Sequence, residues 1–255
     1  MDVTLDPAWL IGFLLAFVRA AAWMVVTPPF SARGSIPPMA KIAIAGGLAV
    51  MAAPHLATSA LPDGSVALVA AVVLQVVVGV ALGFSVQILM SAFSSAGALI
   101  DMFGGIYLPP SEDPISGQQT PLLGQFYEQV AVLLLFVSNG ELLLVHGFEQ
   151  SFGAPGLTLA STGRLASVLG GDLATFFVAA VEIAAPIIAV LFTAQVALAV
   201  LAKAAPQVNV WFLGFPLQVM ISLVLVVLGI RVLPPYLDHV VGRALQDFSS
   251  LLSGG

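Results

Sequence analysis

The sequence predicts an all-α membrane protein made of long, kinked apolar helices, and three observations support this prediction. The chain has 255 residues, of which 60% are hydrophobic and only 8% are charged, whereas a soluble domain has about 25% charged residues. Residues 64–100 carry no charge at all. Prolines and glycines divide the chain into apolar segments of helical length. So few charges cannot cover a globule of this size, and we therefore expect apolar surface to face lipid or partner subunits.

The composition also excludes several classes of function. The chain has no cysteine, so it has no disulfide, no thiolate nucleophile and no cysteine-based metal site. Its net charge is −6 and its seven basic residues are spread thinly, which argues against nucleic-acid binding. Residues 1–17 contain two aspartates and no basic region, so they predict a retained first helix rather than a cleavable signal peptide.

The first half of the chain predicts three helical segments. The first covers residues 9–27 and ends at two prolines. The second covers residues 41–53 and is stopped by Pro54; at about 20 Å it would be too short to cross a core of ~30 Å alone. The third covers residues 66–100 and would reach about 50 Å as one straight helix, so a bend is expected at one of its glycines. The expected positions of that bend are Gly79, Gly83 and Gly97.

The second half of the chain predicts three further segments. One covers residues 126–145, after a central loop, and is followed by a glycine- and serine-containing stretch at 151–171. The fifth segment, residues 172–204, contains Pro186, which should kink it. The sixth covers residues 210–232 and ends before two prolines.

The tail, residues 236–255, predicts an amphipathic helix. Apolar side chains recur in it at helical spacing: Leu237, Val240, Val241, Leu245, Phe248 and Leu252. Such a stripe favours a surface helix that rests on its own protein over a helix that lies in the membrane interface.

Polar side chains also lie inside the apolar segments, where a charge costs at least ~2.5–3.5 kcal/mol on insertion scales. The ionisable ones are Arg19, Asp101, Glu128, Glu141, Glu182 and Lys203, with Gln75, Gln87 and Gln195 as uncharged analogues. Because Arg19 lies well inside its segment, we expect it to pair with a carboxylate or with carbonyls at a helix end. Structural ion pairs or contacts between subunits are the favoured roles of these residues, with a proton or ion relay as the alternative.

A polar loop, residues 104–124, separates the third and fourth segments and contains four prolines and four glycines. These residues exclude a regular helix. Irregular backbone beside membrane helices must find hydrogen-bond partners in bulk water, inside protein or along a wet cavity. The composition of the loop is compatible both with an ordinary aqueous connector and with a pore, gate or binding site.

No constellation of catalytic residues is recognisable in the sequence. The three histidines, His55, His146 and His239, are far apart, and the patterns HExxH, GxSxG, GxGxxG and the P-loop do not occur. We therefore expect neither an enzyme nor a bound metal or cofactor. A GxxxG pattern formed by Gly79 and Gly83 indicates close helix packing. These features favour a conduit or scaffold, with a secondary transporter that has a discontinuous helix as the alternative.

Two long stretches carry a resemblance to a known family. The first, GALIDMFGGIYLPPSEDPISGQQTPLLGQFYEQVAVLLLF, covers residues 97–136, and the second, APIIAVLFTAQVALAVLAKAAPQVNVWFLGFPLQ, covers residues 185–218. Near the N-terminus the matching residues are Arg19, Pro28, Phe30, Pro37 and Lys41. In these features the chain resembles the FliR/SctT family of type III secretion export-gate proteins, and the resemblance covers nearly the whole chain. Gln195 and Gln218 depart from it, because members often carry an acidic and a basic residue there.

The resemblance implies both a function and an assembly. It implies a core subunit of the flagellar export gate in the bacterial inner membrane, present in a single copy. With FliP-like and FliQ-like subunits, it would form a helical cone through which unfolded flagellar proteins are exported. The cone would dock on FlhA-like and FlhB-like components. Within the chain, a FliP-like part would cover residues 1–170, a FliQ-like hairpin 171–235, and the amphipathic tail 236–255.

The resemblance also implies roles for particular residues. The central loop would plug the channel, and its candidate residues are Gly104, Gly105, Ile106, Tyr107, Leu108, Pro109, Pro110, Asp113, Pro114, Gln119 and Pro121. The residues expected to make structural or inter-subunit polar contacts are Arg19, Asp101, Glu182, Lys203, Pro206, Gln207 and Asn209.

Overall fold

The computed structural model describes residues 7–28, 30–31, 36–57, 64–105, 121–153, 162–205, 207 and 209–252. Within these ranges every regular element is helical, which confirms the predicted all-α class. The α-helices are α1 (Pro7–Val26), α2 (Pro38–Ala57), α3 (Ser65–Gly104), α4 (Leu122–Val137), α5 (Gly140–Gln150), α6 (Thr162–Ala204), α7 (Val210–Gly229) and α8 (Leu233–Leu252), with a 3₁₀ turn at Ile230–Val232.

Most of these helices are long and apolar enough to cross a membrane. In the described part of the chain this holds for α1, nearly all of α2, α3, α6 and the stretch Gly214–Leu251, which runs from α7 into α8. The pair α4 and α5 would add a sixth span if the two helices count as one. The protein is therefore an integral membrane protein, as its composition predicts.

The prediction that the second segment is too short to span was wrong. Helix α2 has 20 residues and contains Pro54, so it is about 30 Å long at 1.5 Å per residue. It begins at Pro38, where the missing N–H costs nothing because the first helical N–H groups have no partner in the helix. Pro54 lies in the last turn, so its ring removes a hydrogen bond near the end of the helix, where the loss disturbs little of the ladder.

The fourth predicted segment, residues 126–145, is two helices instead of one. Helix α4 ends at Val137 and α5 begins at Gly140. Between them Asn139 has a φ of 56°, in the left-handed region that asparagine tolerates better than most residues. The break follows from the local sequence Ser138-Asn139-Gly140, which combines poor helix formers inside an otherwise apolar run.

The fifth segment begins earlier than predicted. Helix α6 starts at Thr162, so residues 162–171 are helical and the predicted break at 151–171 is wrong over that part. The helix contains Pro186, and its 43 residues make it about 65 Å long if straight. The kink expected at Pro186 and the bend expected in α3 stay predictions.

The helical tail is confirmed, and α7 ends at Gly229, three residues before the predicted end of the sixth segment. Helix α7 passes through the 3₁₀ turn at Ile230–Val232 into α8, whose first turn holds both prolines. On α8 the stripe residues Leu237, Val240, Val241 and Phe248 are each 5% exposed or less. The tail therefore rests on its own protein, which is the interpretation that the stripe favoured.

The contacts divide the chain into two compact units. The first comprises Met1–Leu89, Ser138–Leu173 and Val240–Gly255, and the second comprises Met90–Val137 and Ala174–His239. Helices α3, α6 and α8 each contribute residues to both units. The division into parts 1–170, 171–235 and 236–255 that the resemblance implies stays a prediction.

In the first unit the core forms around Trp23, which is fully buried. Its ring stacks on that of Phe148, with a centroid distance of 4.5 Å. Helix α3 approaches α1 through the predicted GxxxG pattern. A Cβ built on Gly79 would lie 2.5 Å from the carbonyl oxygen of Arg19, and one on Gly83 would lie 3.0 Å from that of Trp23. Close packing at this pattern is therefore confirmed.

In the second unit small residues let α3 and α4 approach each other. A Cβ on Gly97 would overlap the backbone carbonyl of Leu123, and one on Gly124 would lie 3.0 Å from the carbonyl oxygen of Ser94. A separate apolar cluster forms between α3 and α6 from Ala92, Ala179 and Ala180, with Phe176 packed against it. Backbone contact between α3 and α4 fixes where the central loop begins and ends.

The contact at Gly97 gives a first prediction. Gly97→Ala should destabilise the protein by about 1–3 kcal/mol, because the new methyl group meets backbone that has no flexible side chain to move aside. Gly46→Ala is the matched control: a Cβ there meets nothing within 4 Å, and alanine favours a helix over glycine by about 0.5–1 kcal/mol. The melting temperatures of the purified variants in detergent test this. A Gly97→Ala variant that melts with or above the control would contradict the packing described.

Candidate functional site

Arg19 is a buried charge in the middle of α1, with 3% of its surface exposed. Its Nε donates to Oε1 of Gln75 on α3 over 2.5 Å. Its Nη1 donates to the carbonyl oxygen of Ser151 over 2.7 Å and to its hydroxyl over 3.0 Å. The guanidinium also lies over the ring of Phe152, 4.4 Å from the centroid. Because Ser151 is the C-cap residue of α5, the prediction that Arg19 pairs with carbonyls at a helix end is confirmed.

Asp101 binds the N-terminal end of a helix, whereas Arg19 binds a C-terminal end. It is 1% exposed, and its Oδ2 accepts from the backbone N–H of Leu123 over 2.8 Å and from that of Gly124 over 3.4 Å. These N–H groups belong to the first turn of α4, where four donors have no partner inside the helix. A carboxylate on α3 therefore caps α4, with favourable charge at the positive end of the helix dipole.

Two glutamines reach the C-terminal end of α3. Nε2 of Gln195 on α6 donates to the carbonyl oxygen of Phe103 over 2.8 Å. Gly105 follows the helix with a φ of 69°, and a Cβ on it would lie 3.0 Å from Oε1 of Gln218. The left-handed backbone and the nearby amide both favour glycine at this position. Both residues that depart from the family pattern therefore lie against the last turn of α3.

The two helix ends that flank the central loop, the end of α3 and the start of α4, lie close together in the second unit. Helix α3 ends at Gly104, and Pro121 precedes α4. The bonds from Asp101 and the contact at Gly97 hold the start of α4 against the last turns of α3. The candidate plug residues Gly104, Gly105 and Pro121 are described, whereas Ile106, Tyr107, Leu108, Pro109, Pro110, Asp113, Pro114 and Gln119 lie outside the described residues.

The remaining predicted polar residues are not brought together. Glu182 and Lys203 are both exposed on α6, and Lys203 lies in its last turn, where a cation is favourable. Asn209 caps α7, since its Oδ1 accepts from the N–H of Phe212 over 3.2 Å. This cap supports a structural turn between α6 and α7. Gln207 is exposed there, and Pro206 lies outside the described residues.

Sequence reasoning missed a buried charged cluster in the first unit. Asp172 is fully buried, and Asp247 is 4% exposed. Nε of Arg243 lies 3.9 Å from Oδ1 of Asp172 and 3.5 Å from Oδ1 of Asp247. The hydroxyl of Ser85 donates to Oδ2 of Asp172 over 2.8 Å. The cluster joins α3, α6 and α8. The predicted fifth segment begins at Asp172, and a charge at the start of a helix gives no sign that it is buried.

Within the described residues there is no group of three or more histidine, aspartate or glutamate side chains that could hold a metal ion. The cluster formed by Asp172 and Asp247 already has an arginine beside it. The buried polar side chains described above bind helix ends and one another, as structural connectors do.

Together these features describe an all-α integral membrane protein whose buried polar side chains bind the ends of its own helices. A family model described as bacterial export proteins, family 1, matches residues 10–244, and the chain belongs to that family. The resemblance to the FliR/SctT family that the sequence motifs indicated is thereby confirmed, and the chain is a component of a bacterial type III export apparatus.

Individual relatives match over different shares of the chain. It is 28% identical to the flagellar biosynthetic protein FliR of Pectobacterium carotovorum subsp. carotovorum, covering 96% of this chain and 94% of that protein. It is 27% identical to the FliR of Bacillus subtilis (strain 168), covering 95% of each. The surface presentation of antigens protein SpaR of Shigella flexneri is 26% identical over 60% of this chain and 59% of its own length.

The contacts of Arg19 give a second prediction. Arg19→Leu should lower the melting temperature by about 5 °C or more, because it leaves buried groups on Gln75 and Ser151 unpaired at about 1–3 kcal/mol each, and 1 kcal/mol corresponds to ~2–4 °C at this chain length. The melting temperature of Arg19→Lys should lie between those of the unchanged protein and Arg19→Leu, since one ammonium cannot reproduce the hydrogen bonds of the guanidinium. Arg231→Ala, at an exposed position, is the control. Equal melting of Arg19→Leu and Arg231→Ala would refute the role of Arg19.

The cap on α4 gives a third prediction. Asp101→Leu should speed hydrogen exchange of the Leu123 and Gly124 amides by about 5–30-fold, because loss of a cap costs about 1–2 kcal/mol. Asp101→Asn should protect both amides better, since its side chain keeps one acceptor oxygen. Asp238→Leu, at an exposed position on α8, serves as the control. Exchange measured by mass spectrometry on the peptide covering 121–126 decides; unchanged exchange in Asp101→Leu would mean that the carboxylate is not the cap.

Proposed function

We propose that this chain is a core subunit of the flagellar export gate in the bacterial inner membrane. In this proposal it forms, together with FliP-like and FliQ-like subunits, the channel through which unfolded flagellar proteins leave the cytoplasm. The observation that carries the proposal is the match to flagellar FliR proteins over 95–96% of the chain. The match to Shigella flexneri SpaR covers 60%, so the flagellar system is the one we propose.

The surface of the chain supports a role in a larger assembly. Along α7 large apolar side chains are exposed, among them Phe212 at 76%, Met220 at 65% and Val227 at 65%. Similar exposure occurs on α3 and α6, for example at Val69 and Phe177. Exposed apolar surface of this extent marks contact with lipid or with other subunits. We propose that FliP-like and FliQ-like subunits cover part of it and that FlhA-like and FlhB-like components dock on the assembled gate.

The anchoring of the central loop supports the proposed plug. A plug has to be held firmly at its base while the segment between remains able to move aside. The base is held by the carboxylate of Asp101 on one side and by the amide of Gln195 on the other. In this proposal the loop of residues 104–121 closes the channel against ions and is displaced when a substrate passes.

The plug gives a fourth prediction. Deleting residues 106–115 should leave assembly with partner subunits intact but make the membrane permeable to small ions, because the anchored helix ends on either side are kept. Conductance of cells or reconstituted membranes that contain the assembled gate measures this. Deleting residues 58–62, in the connection between α2 and α3, is the control and should leave conductance low.

Two results would contradict this proposal in different ways. Low conductance of an assembled gate that lacks residues 106–115 would refute the plug and leave the export role standing. A chain that purifies without any apolar partner, and whose deletion leaves flagellar export unchanged, would refute the export-gate function itself. Co-purification followed by mass measurement of the complex tests the second point.

A further inference from the structure

A groove of about 500 Å³ lies between the middle of α6 and the first turns of α8. From α6 it is lined by Ala174, Val178, Ala179 and Glu182, and from α8 by Tyr236 and His239. All of these residues belong to the second unit. The groove is partly open, and Glu182 is the lining residue for which the sequence predicts a structural or inter-subunit contact.

The α6 wall of the groove has the form of a helix-packing surface. Ala174, Val178 and Glu182 follow one another at intervals of four residues, which places them in one stripe about 12 Å long. All three are exposed. Three of the α6 residues that line the groove, Ala174, Thr175 and Ala179, have small side chains. Small side chains let the backbone of a second helix approach closely, and membrane helices associate largely through contacts of this kind.

Glu182 sets the chemistry that the groove requires. It is the sole charged residue between positions 173 and 202, and its neighbours Phe177 and Val181 are 63% and 56% exposed apolar side chains. Among the described residues it has neither an ion pair nor a hydrogen bond. An ionised carboxylate left unpaired on an apolar membrane surface is unfavourable. It therefore calls for a cation, which the described residues do not supply.

The other polar groups around the groove do not supply that cation as a fixed charge. Tyr236 and His239 line it, and Asp238, beside His239 on α8, adds a further carboxylate. Among the residues that the structure describes, no lysine or arginine lines the groove. A lipid acyl chain carries no charge, and the phosphate of a phospholipid headgroup repels a carboxylate. A basic side chain carried on an apolar helix supplies both the charge and the packing surface.

We propose that this groove docks an apolar helix of another subunit of the export apparatus, and that a lysine or arginine of that helix pairs with Glu182. The identity of the partner as a subunit of the apparatus rests on the proposed function. Two features of the groove support this pairing: the unpaired carboxylate of Glu182 and the small side chains of Ala174, Thr175 and Ala179 beside it. Tyr236 and His239 stand opposite and provide hydrogen-bonding groups to the incoming helix.

A photocrosslinking experiment tests the docking. A photoreactive benzophenone side chain is placed at position 178 in the full chain, within cells that contain the complete apparatus. We expect an adduct with one apolar partner subunit, mapped by mass spectrometry to a helix with a lysine or arginine within two turns of the linked position. An adduct with lipid alone, with a second copy of this chain, or with nothing overturns the proposal.

Charge substitutions test the pairing itself. Glu182→Lys should reduce co-purification of the crosslinked partner at least tenfold, and Glu182→Gln should reduce it less. Changing the partner's basic residue to glutamate should restore co-purification of Glu182→Lys. Asp238→Lys is the matched control, since Asp238 is exposed on α8 but does not line the groove. Co-purification of Glu182→Lys at the level of this control overturns the proposal.

The same experiments separate this inference from the function on which it rests. Deletion of the whole chain tests the export role by measuring secretion of flagellar proteins. If that deletion abolishes secretion while Glu182→Lys assembles normally, the docking inference is wrong and the export role stands. If the deletion leaves secretion unchanged, the proposed function is wrong.

Discussion

The structure depends on hydrogen-bond partners for the backbone groups at helix ends that lie in apolar surroundings. Every α-helix has N–H groups at its start and carbonyls at its end that lack partners within the helix, and in an apolar surrounding each unsatisfied group costs several kcal/mol. At three of the helix ends described here the partner comes from another helix. Arg19 of α1 serves the end of α5, Asp101 of α3 serves the start of α4, and Gln195 of α6 serves the end of α3. At these ends a charged or amide side chain on one helix thus caps the terminus of another.

This arrangement explains why Arg19 and Asp101 are buried in a chain that has so few charges. A buried arginine or aspartate without partners would destabilise the protein severely. With partners, it fixes where a helix stops and which neighbour it stops against, because apolar packing alone has little directional preference. Gly79, Gly83 and Gly97 support these caps because they let the helix backbones approach closely. A side chain of one helix can bind the end of another only when the two helices lie close together.

From the sequence, the fold class and the kind of contact that a buried polar side chain makes could be predicted, but not the residues with which it makes that contact. That Arg19 needed a carboxylate or a helix end followed from its depth in an apolar segment. Its choice of Ser151, 132 residues away, depends on tertiary packing that no local pattern encodes. Two predicted helix boundaries were wrong. Pro54 does not end α2, because a proline near the end of a helix removes little of its hydrogen bonding. The break at Asn139 lies inside an apolar run, which gives little sign of it. Asp172 was overlooked since a charge at an assumed helix start looks ordinary, although the helix continues ten residues further back.

The distance along the chain between Arg19 and its partners bears on how the protein is made. Gln75 is 56 residues and Ser151 is 132 residues downstream, and ribosomes add ~5–20 residues per second. The guanidinium of the first helix therefore exists for roughly ten seconds before its last acceptor has been synthesised. During that interval α1 carries an uncompensated charge, which favours its retention at an aqueous or proteinaceous site beside the insertion machinery. Helix α1 therefore cannot complete its buried contacts until α5 has been synthesised.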